Sequence, residues 1–282
     1  MKTVAANGKR KAGGKRWHVA VIVVLLIYLF LPIVGTLLFS LAKEWQDEIF
    51  PNSYTLEWYA QLLADMRFYE AIGRTVLVSV LTVAITLTIM IPVIFVLHVY
   101  FPNGEKLLQI SIMLPFAFPP VVSAIGLIKI YSSGPLAITG TVWILIAVYF
   151  VLIQPFIYQS VRNSLNTINA IDLVEAAEVL GAGKMTAFRK VVLPNILPGT
   201  LVASLLSFSM IFGEFVMSRM LVGGDYETIQ MFLYNQMKTS GQSASAVVIT
   251  YFLLILLLSG LVLKLGSWKP RGYKKAALQE EE

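Results

Sequence analysis

Residues 175–194 read Glu-Ala-Ala-Glu-Val-Leu-Gly-Ala-Gly-Lys-Met-Thr-Ala-Phe-Arg-Lys-Val-Val-Leu-Pro. They belong to a polar segment, 161–194, that lies between two long apolar runs and is too polar to be embedded in lipid. A glycine follows the Glu-Ala-Ala triplet after three residues, and glycine permits a tight reversal that a side chain would resist. The stretch therefore predicts two short helices joined by a turn.

The two helices have predicted ends. Asp172 is the predicted N-cap of the first helix, with a glutamate three residues later as in a capping box. Gly181 is its predicted C-cap. The second helix is predicted over 186–192, and Leu193 and Pro194 are expected to end it before the next span, because proline cannot continue a helix without losing a hydrogen bond.

The composition places most of the chain in a membrane. Of its 282 residues, 57% are hydrophobic and 13% are charged, and the mean hydropathy is +0.75. Soluble domains carry about a quarter charged residues, so the solvent of this chain is lipid. Cysteine is absent, which excludes disulfides and thiolate metal sites, and His18 and His98 lack the spacing of a ligand pair.

Six apolar segments are long enough to cross a hydrocarbon core of roughly 30 Å as helices. The sequence thus predicts an all-α integral membrane protein with six transmembrane helices. The third segment contains Pro115, Pro119 and Pro120, so we expect it to be broken and packed inside the bundle. The predicted spans are 19–42, 75–100, 107–131, 135–160, 196–222 and 244–263.

Lysine and arginine are distributed unevenly between the two sides of these spans. Sixteen lie on the side that carries both termini and the 161–194 segment, and five lie on the opposite side. The positive side is the cytoplasmic one. We therefore expect a cytoplasmic basic tail over 1–18, a six-span domain over 19–266 and a cytoplasmic tail over 267–282. The net charge of +6 indicates contact with anionic lipid, and no nucleic acid is expected as a partner.

Two polar features on the opposite side have open interpretations. The pattern Trp58-Tyr59-x-x-Leu62-Leu63 predicts a short amphipathic helix on the outer surface, either an interfacial anchor or part of a docking surface. Glu214 is expected near the outer end of the fifth span, where a charge at the bilayer centre would cost about 2.5–3.5 kcal/mol. It either lines a pathway for a cationic or amino-bearing solute, or ties helices together through Lys129 or Arg219.

The spacing within 175–194 resembles the loop of the transmembrane permease subunits of type I ABC importers. That loop reads Glu-Ala-Ala, three residues, Gly, nine residues, Ile-x-Leu-Pro, and this chain departs from it with Val191 in place of isoleucine. Within that group the chain is similar to the permeases for spermidine/putrescine, ferric iron and 2-aminoethylphosphonate. The matching residues are Glu175, Ala176, Ala177, Gly181, Val191, Leu193 and Pro194.

The resemblance implies a non-catalytic permease subunit in the bacterial cytoplasmic (inner) membrane. Those seven residues would couple it to a cytoplasmic ABC ATPase dimer, which binds the ATP, so the chain itself needs no cofactor and no metal. The other implied partners are a second permease subunit and an extracytoplasmic solute-binding protein. Glu214, Pro119 and Pro120 are candidate pathway residues. A polyamine is the favoured solute, with 2-aminoethylphosphonate, ferric iron or another small anion as alternatives.

Other function classes fit the sequence less well. Gly181-Ala-Gly-Lys184 is similar to a phosphate-binding loop, but Glu178 stands where that loop needs glycine and Met185 where it needs serine or threonine. A secondary transporter or channel, the remote alternative, usually shows internal repeats or several coupling charges. A membrane-embedded enzyme would need a cluster of His, Asp and Glu at one depth, and the sequence does not indicate one.

Overall fold

The computed structural model describes residues 5–45 and 48–266. The predicted C-terminal tail, 267–282, and the first four residues lie outside these ranges. A 3-10 turn (Leu114–Ala117) and a π-helical segment (Phe188–Val192) accompany the α-helices. In the described ranges the α-helices are α1 (Ala5–Leu41), α2 (Glu57–Ala64), α3 (Met66–Tyr100), α4 (Pro102–Met113), α5 (Pro120–Tyr131), α6 (Val142–Thr167), α7 (Ala170–Val179), α8 (Lys184–Ala187), α9 (Leu193–Phe212), α10 (Val216–Leu221), α11 (Ile229–Met237) and α12 (Gly241–Gly266).

The prediction of an all-α protein with six spans is confirmed. Five helical stretches of the described chain are long and apolar enough to cross a membrane, and one bent pair of helices supplies the sixth span. The bent pair is Pro102–Ala117 with Pro120–Tyr131, and its halves meet at 96°. The straight spans are Trp17–Leu41, Met66–Tyr100, Val142–Thr167, Lys184–Phe212 and Gly241–Lys264.

The break in the third span lies where its prolines predict it. Pro119 has an extended backbone with ψ 137°, and Pro120 begins α5 at a position where its missing N–H costs nothing. The expectation that this region packs inside is wrong for the break, because Pro119 and Pro120 are exposed in the described chain. The buried residues of the span are Glu105 and Ile112 before the break and Ala124 after it.

Several predicted span ends are also wrong. The second span begins at Met66 rather than at residue 75, since its amphipathic first turns continue the helix beyond the apolar run. The fourth begins at Val142 rather than 135, because Gly140 takes a positive φ of 84° just before it. The fifth span, whose helix is α9, ends at Phe212 rather than at residue 222.

The chain divides into two units, of which the second (Met66–Phe232 with Leu253–Glu282) carries the 175–194 motif. Its centre is α6, which packs against both α3 and α9. More than half of the membrane-spanning window of α6 is buried, whereas that of α1 has no buried residue. This central position makes α6 the element that sets the places of its neighbours.

In the first unit (Met1–Asp65 with Leu233–Phe252), the short helix predicted outside the membrane is present as α2. Trp58 Nε1 donates to the carbonyl of Ala42 at 2.9 Å. The hydroxyls of Tyr59 and Ser40 lie 2.6 Å apart. These contacts fix α2 to the end of α1, and Leu62 is the buried residue of α2.

The contact between α6 and α9 depends on Gly199. Ser160 Oγ donates to the Gly199 carbonyl at 2.8 Å, so the two backbones approach closely. A Cβ atom at position 199 would lie 3.2 Å from Ser164 Cβ and would overlap Ser164 Oγ. A side chain at position 199 would displace the Ser164 hydroxyl, which donates to Ser160 O at 2.8 Å. Small residues are likewise found at other close membrane-helix crossings.

We expect Gly199→Leu to lower the thermal stability of the protein, since overpacking typically costs about 1–3 kcal/mol. The matched control is Gly73→Leu in α3, where nothing lies within 4 Å of an added Cβ. The melting temperatures of both variants in detergent check the prediction. Equal melting temperatures for the two variants would contradict the close contact.

Candidate functional site

The 175–194 motif lies in a helical hairpin and in the first two residues of α9, which follows it. We define the hairpin as residues 170–192 and call it the 170–192 hairpin. It consists of α7, the turn at Gly181, α8 and the π-helical segment. Its inner face is formed by Val174, Ala187 and Val192, which are buried, and α7 packs against the π-helical segment. The structure thus brings the separated parts of the motif together in one unit.

The turn of the hairpin has the geometry that its glycine predicts. Gly181 has φ +85°, and its N–H donates to Glu178 O at 2.9 Å while the N–H of Ala182 donates to Ala177 O at 2.9 Å. This pair of bonds is the Schellman motif, which favours glycine at the left-handed position. The prediction that Gly181 ends the first helix is confirmed, with Leu180 as the C-cap and Gly181 as the left-handed residue directly after it.

The N-cap prediction for Asp172 is wrong. The helix begins two residues earlier, at Ala170, and Asn169 precedes it with φ 47°. Asp172 lies inside the first turn, where a carboxylate still interacts favourably with the helix dipole. The sequence signal was ambiguous because the asparagine is itself a common residue for a left-handed conformation.

The residues of the motif differ in exposure. Ala177, Val191 and Leu193 are half-buried, and Ala177 and Leu193 pack against the core. The exposed members are Glu175, Ala176, Gly181 and Pro194. The motif therefore has one set of residues that fixes the hairpin to the membrane helices and another that faces outward.

The second half of the hairpin does not end at Leu193 and Pro194, so that prediction is wrong. Lys184–Phe212 forms one helical stretch of 29 residues. The π-helical turn makes this possible: the N–H of Leu193 donates to Phe188 O, and Asn195 Nδ2 donates to Val191 O at 2.7 Å. Pro194 then falls at the start of α9, where proline is tolerated.

The outward tip of the hairpin is apolar. Val179 and Leu180 are each 87% exposed, and Met185 is 65% exposed. Exposed apolar side chains clustered on a projecting turn are typical of a protein interface. These residues were not identified from the sequence, although two large apolar residues directly before a glycine that ends a helix are a usable signal.

Glu214 lies in a break between α9 and α10, and not inside a continuous helix as predicted. Its Oε1 accepts from the N–H of Met217 at 2.7 Å, and its Oε2 accepts from the N–H of Ser218 at 3.1 Å. The hydroxyl of Tyr149 donates to Oε2 at 2.9 Å. The side chain thereby caps α10 and connects it to α6.

These three donors are all uncharged. They hold the Glu214 carboxylate in place, and the residue is half-buried. Tyr149 was not identified from the sequence, since nothing in its local pattern marks it as the partner of a residue 65 positions away. The arrangement fixes this carboxylate between the end of the fifth span and the start of α10.

The second half of the broken third span packs beside the short helix that follows the fifth span. The half-helix α5, which begins at Pro120, packs against α10, which follows Glu214. The N–H of Gly140 also donates to Leu221 O at 2.8 Å, which fixes the end of α10. The structure therefore brings together the helices that carry the candidate pathway residues.

Comparison with known families agrees with this architecture. Residues 81–267, more than half of the chain, match the family model described as binding-protein-dependent transport system inner membrane component. Two solved structures of a bacterial alginate ABC transporter contain similar chains. One, described as involved in the import of the acidic polysaccharide alginate, gives a TM-score of 0.66 at 16% identity and covers 93% of this chain and 98% of that chain.

The second alginate transporter structure holds an alginate pentasaccharide-bound periplasmic protein. Its similar chain gives a TM-score of 0.57 at 17% identity and covers 94% of this chain and 96% of that chain. At these identities the likeness shows the fold.

Two relatives are named for small nitrogen-containing solutes. PhnV of Salmonella typhimurium (strain LT2), named for 2-aminoethylphosphonate transport, is 28% identical over 236 residues, or 84% of this chain and 88% of the relative. PotC of Escherichia coli (strain K12), named as a spermidine/putrescine permease, is 24% identical over 234 residues, or 81% of this chain and 85% of the relative. Both are similar along most of their length.

Proposed function

The chain belongs to the binding-protein-dependent transport system inner membrane components, as the permease subunit of an ABC importer, and we propose how it works within one. It pairs with a second permease subunit to form the translocation pathway. It binds a cytoplasmic ABC ATPase dimer, which hydrolyses the ATP, through the 170–192 hairpin. It receives its solute from an extracytoplasmic binding protein, a partner supported by the periplasmic protein in the alginate transporter structure.

The observation that carries this proposal is the apolar tip of the hairpin at the end of a continuous helix. The tip residues have no cover in the described chain and would be buried in a cleft of the ATPase. The hairpin continues through the π-helical segment into the fifth span, Lys184–Phe212. A displacement of the tip by the ATPase is therefore passed along one helix to the membrane.

We expect Leu180→Asp to abolish copurification of the ATPase with the permease, since it places a charge in the centre of the docking surface. The matched control is Leu136→Asp, at an exposed leucine in the connection between α5 and α6. Copurification and ATP-dependent uptake in proteoliposomes measure the outcome. Retention of the ATPase by the Leu180→Asp variant, as by the control, would contradict docking at the tip.

We further propose that the solute carries a protonated amine, with a polyamine such as spermidine or putrescine favoured. The support is the Glu214 carboxylate, which a hydroxyl and two backbone amides hold just before α10, the helix that packs against the second half of the broken third span. The alternative is 2-aminoethylphosphonate, which also bears an amine and is the compound for which PhnV is named. Pro119 and Pro120 are proposed to shape the same pathway.

We expect Glu214→Gln to lower spermidine uptake by about tenfold, equivalent to about 1.4 kcal/mol, because the charge is lost while an acceptor oxygen remains. Tyr149→Phe is the matched control, since it removes one donor to Glu214 and leaves the charge. Both variants should assemble. If uptake falls equally in both, Glu214 acts structurally; unchanged uptake in Glu214→Gln overturns the pathway role.

We also propose that both termini and the 170–192 hairpin are cytoplasmic, on the charge asymmetry of the sequence. The absence of cysteine makes this testable by single substitutions. In intact cells, a membrane-impermeant thiol reagent should label Asn52→Cys, in the segment between α1 and α2, and should not label Lys184→Cys. Both residues are exposed, so labelling of Lys184→Cys before lysis would reverse the orientation.

A further inference from the structure

A buried carboxylate lies where α3 ends and the broken third span begins. Glu105, in the first turn of α4, is 9% exposed and is the one charged residue among the buried residues of the described chain. Its Oε1 accepts from Arg162 Nε at 2.5 Å and from the Tyr158 hydroxyl at 3.0 Å. Its Oε2 lies 3.2 Å from His98 Nδ1. We call these four residues the Glu105 cluster.

The cluster joins three helices. Glu105 belongs to α4, His98 to α3, and Tyr158 and Arg162 to α6. A buried carboxylate is stable only when its partners are in place, so α4 is held at one position relative to α3 and α6. Because α4 is the first half of the broken third span, the cluster fixes the inner end of that span.

The same end of α3 contacts the 170–192 hairpin. The ring of Phe95 lies 4.6 Å from that of Phe188 in the π-helical segment. The hydroxyl of Tyr100 donates to Glu178 Oε1 at 3.4 Å, and Lys184 Nζ lies 4.5 Å from the centre of the Tyr100 ring. The last two turns of α3 thus lie between the hairpin and the Glu105 cluster.

We propose that Glu105 and Arg162 are positioning residues for energy coupling, an inference that rests on the proposed docking of an ATPase at the hairpin. The ion pair makes α4 move with α3 and α6 when the ATPase displaces the hairpin. Without it, the hairpin moves while the broken third span stays behind. The expected defect is ATP hydrolysis that continues without matching uptake, in a complex that still assembles.

The test uses the whole complex in proteoliposomes with its ATPase and loaded binding protein, and measures uptake per ATP hydrolysed. Glu105→Gln and Arg162→Met should each lower this ratio by about tenfold, within the usual range of coupling between sites. Arg162→Lys, which keeps the charge, should recover part of it. The control is Arg74→Met, which breaks an exposed ion pair with Glu70 elsewhere in the unit.

An unchanged ratio in assembled Glu105→Gln and Arg162→Met complexes overturns the proposal. If these variants fail to assemble, Tyr158→Phe replaces them, because it removes one donor and keeps the ion pair. It should lower the ratio several-fold, and an unchanged ratio counts against the proposal. If the unmodified permease fails to bind an ATPase, the proposed function fails. If it binds one and the variants keep the unmodified ratio of uptake to ATP hydrolysed, this inference alone fails.

Discussion

Backbone hydrogen bonding in a medium without water is the constraint on which this structure depends. Each N–H or C=O group left unpaired in hydrocarbon costs several kcal/mol, so a span can be interrupted only where the chain supplies substitute partners. At the break after α9, the Glu214 carboxylate accepts from two N–H groups of α10. At the π-helical segment, a wider turn and the Asn195 side chain accommodate Pro194.

These substitute hydrogen-bond partners determine which helical segments of the unit are continuous and which are separate. The π-helical segment keeps the hairpin and the fifth span in one helical stretch, whereas the break at residues 213–215 ends that stretch before α10. Since α10 packs on α5, the short helix after the fifth span contacts the second half of the third span. The central helix of the unit, α6, contacts α9 of the fifth span, α4 of the third span and α10.

The sequence was sufficient for the number of spans, the proline break and the glycine turn, because each depends on local chemistry. Apolar runs count spans, Pro119 and Pro120 cannot both continue a helix, and Gly181 takes a left-handed conformation that other residues avoid. Span ends were less predictable. Hydropathy measures contact with lipid, and a helix such as α3 continues into polar surroundings where hydropathy gives no signal.

The helix that passes through Pro194 and the break at Glu214 could not be read from local patterns either. Both depend on partners supplied at a distance or by unusual local geometry: Tyr149 for Glu214, and a π-helical turn for Pro194. The Glu105 cluster was missed for the same reason, since His98, Tyr158 and Arg162 lie 7, 53 and 57 positions from Glu105. Sequence spacing indicates a cluster only when its members share one element.

The two carboxylates show how the partners of a charge decide its use. Glu105 is paired with the guanidinium of Arg162, so its charge is largely compensated where it stands and its effect is to hold helices. Glu214 is held by a hydroxyl and two backbone amides, which fix its position and, under the proposed function, leave its field available to a cationic solute. A charge intended for a solute must be oriented by neutral groups, because a cationic partner would compete with the solute for the same oxygens. On this physical ground, Glu105 suits a structural link and Glu214 suits a pathway.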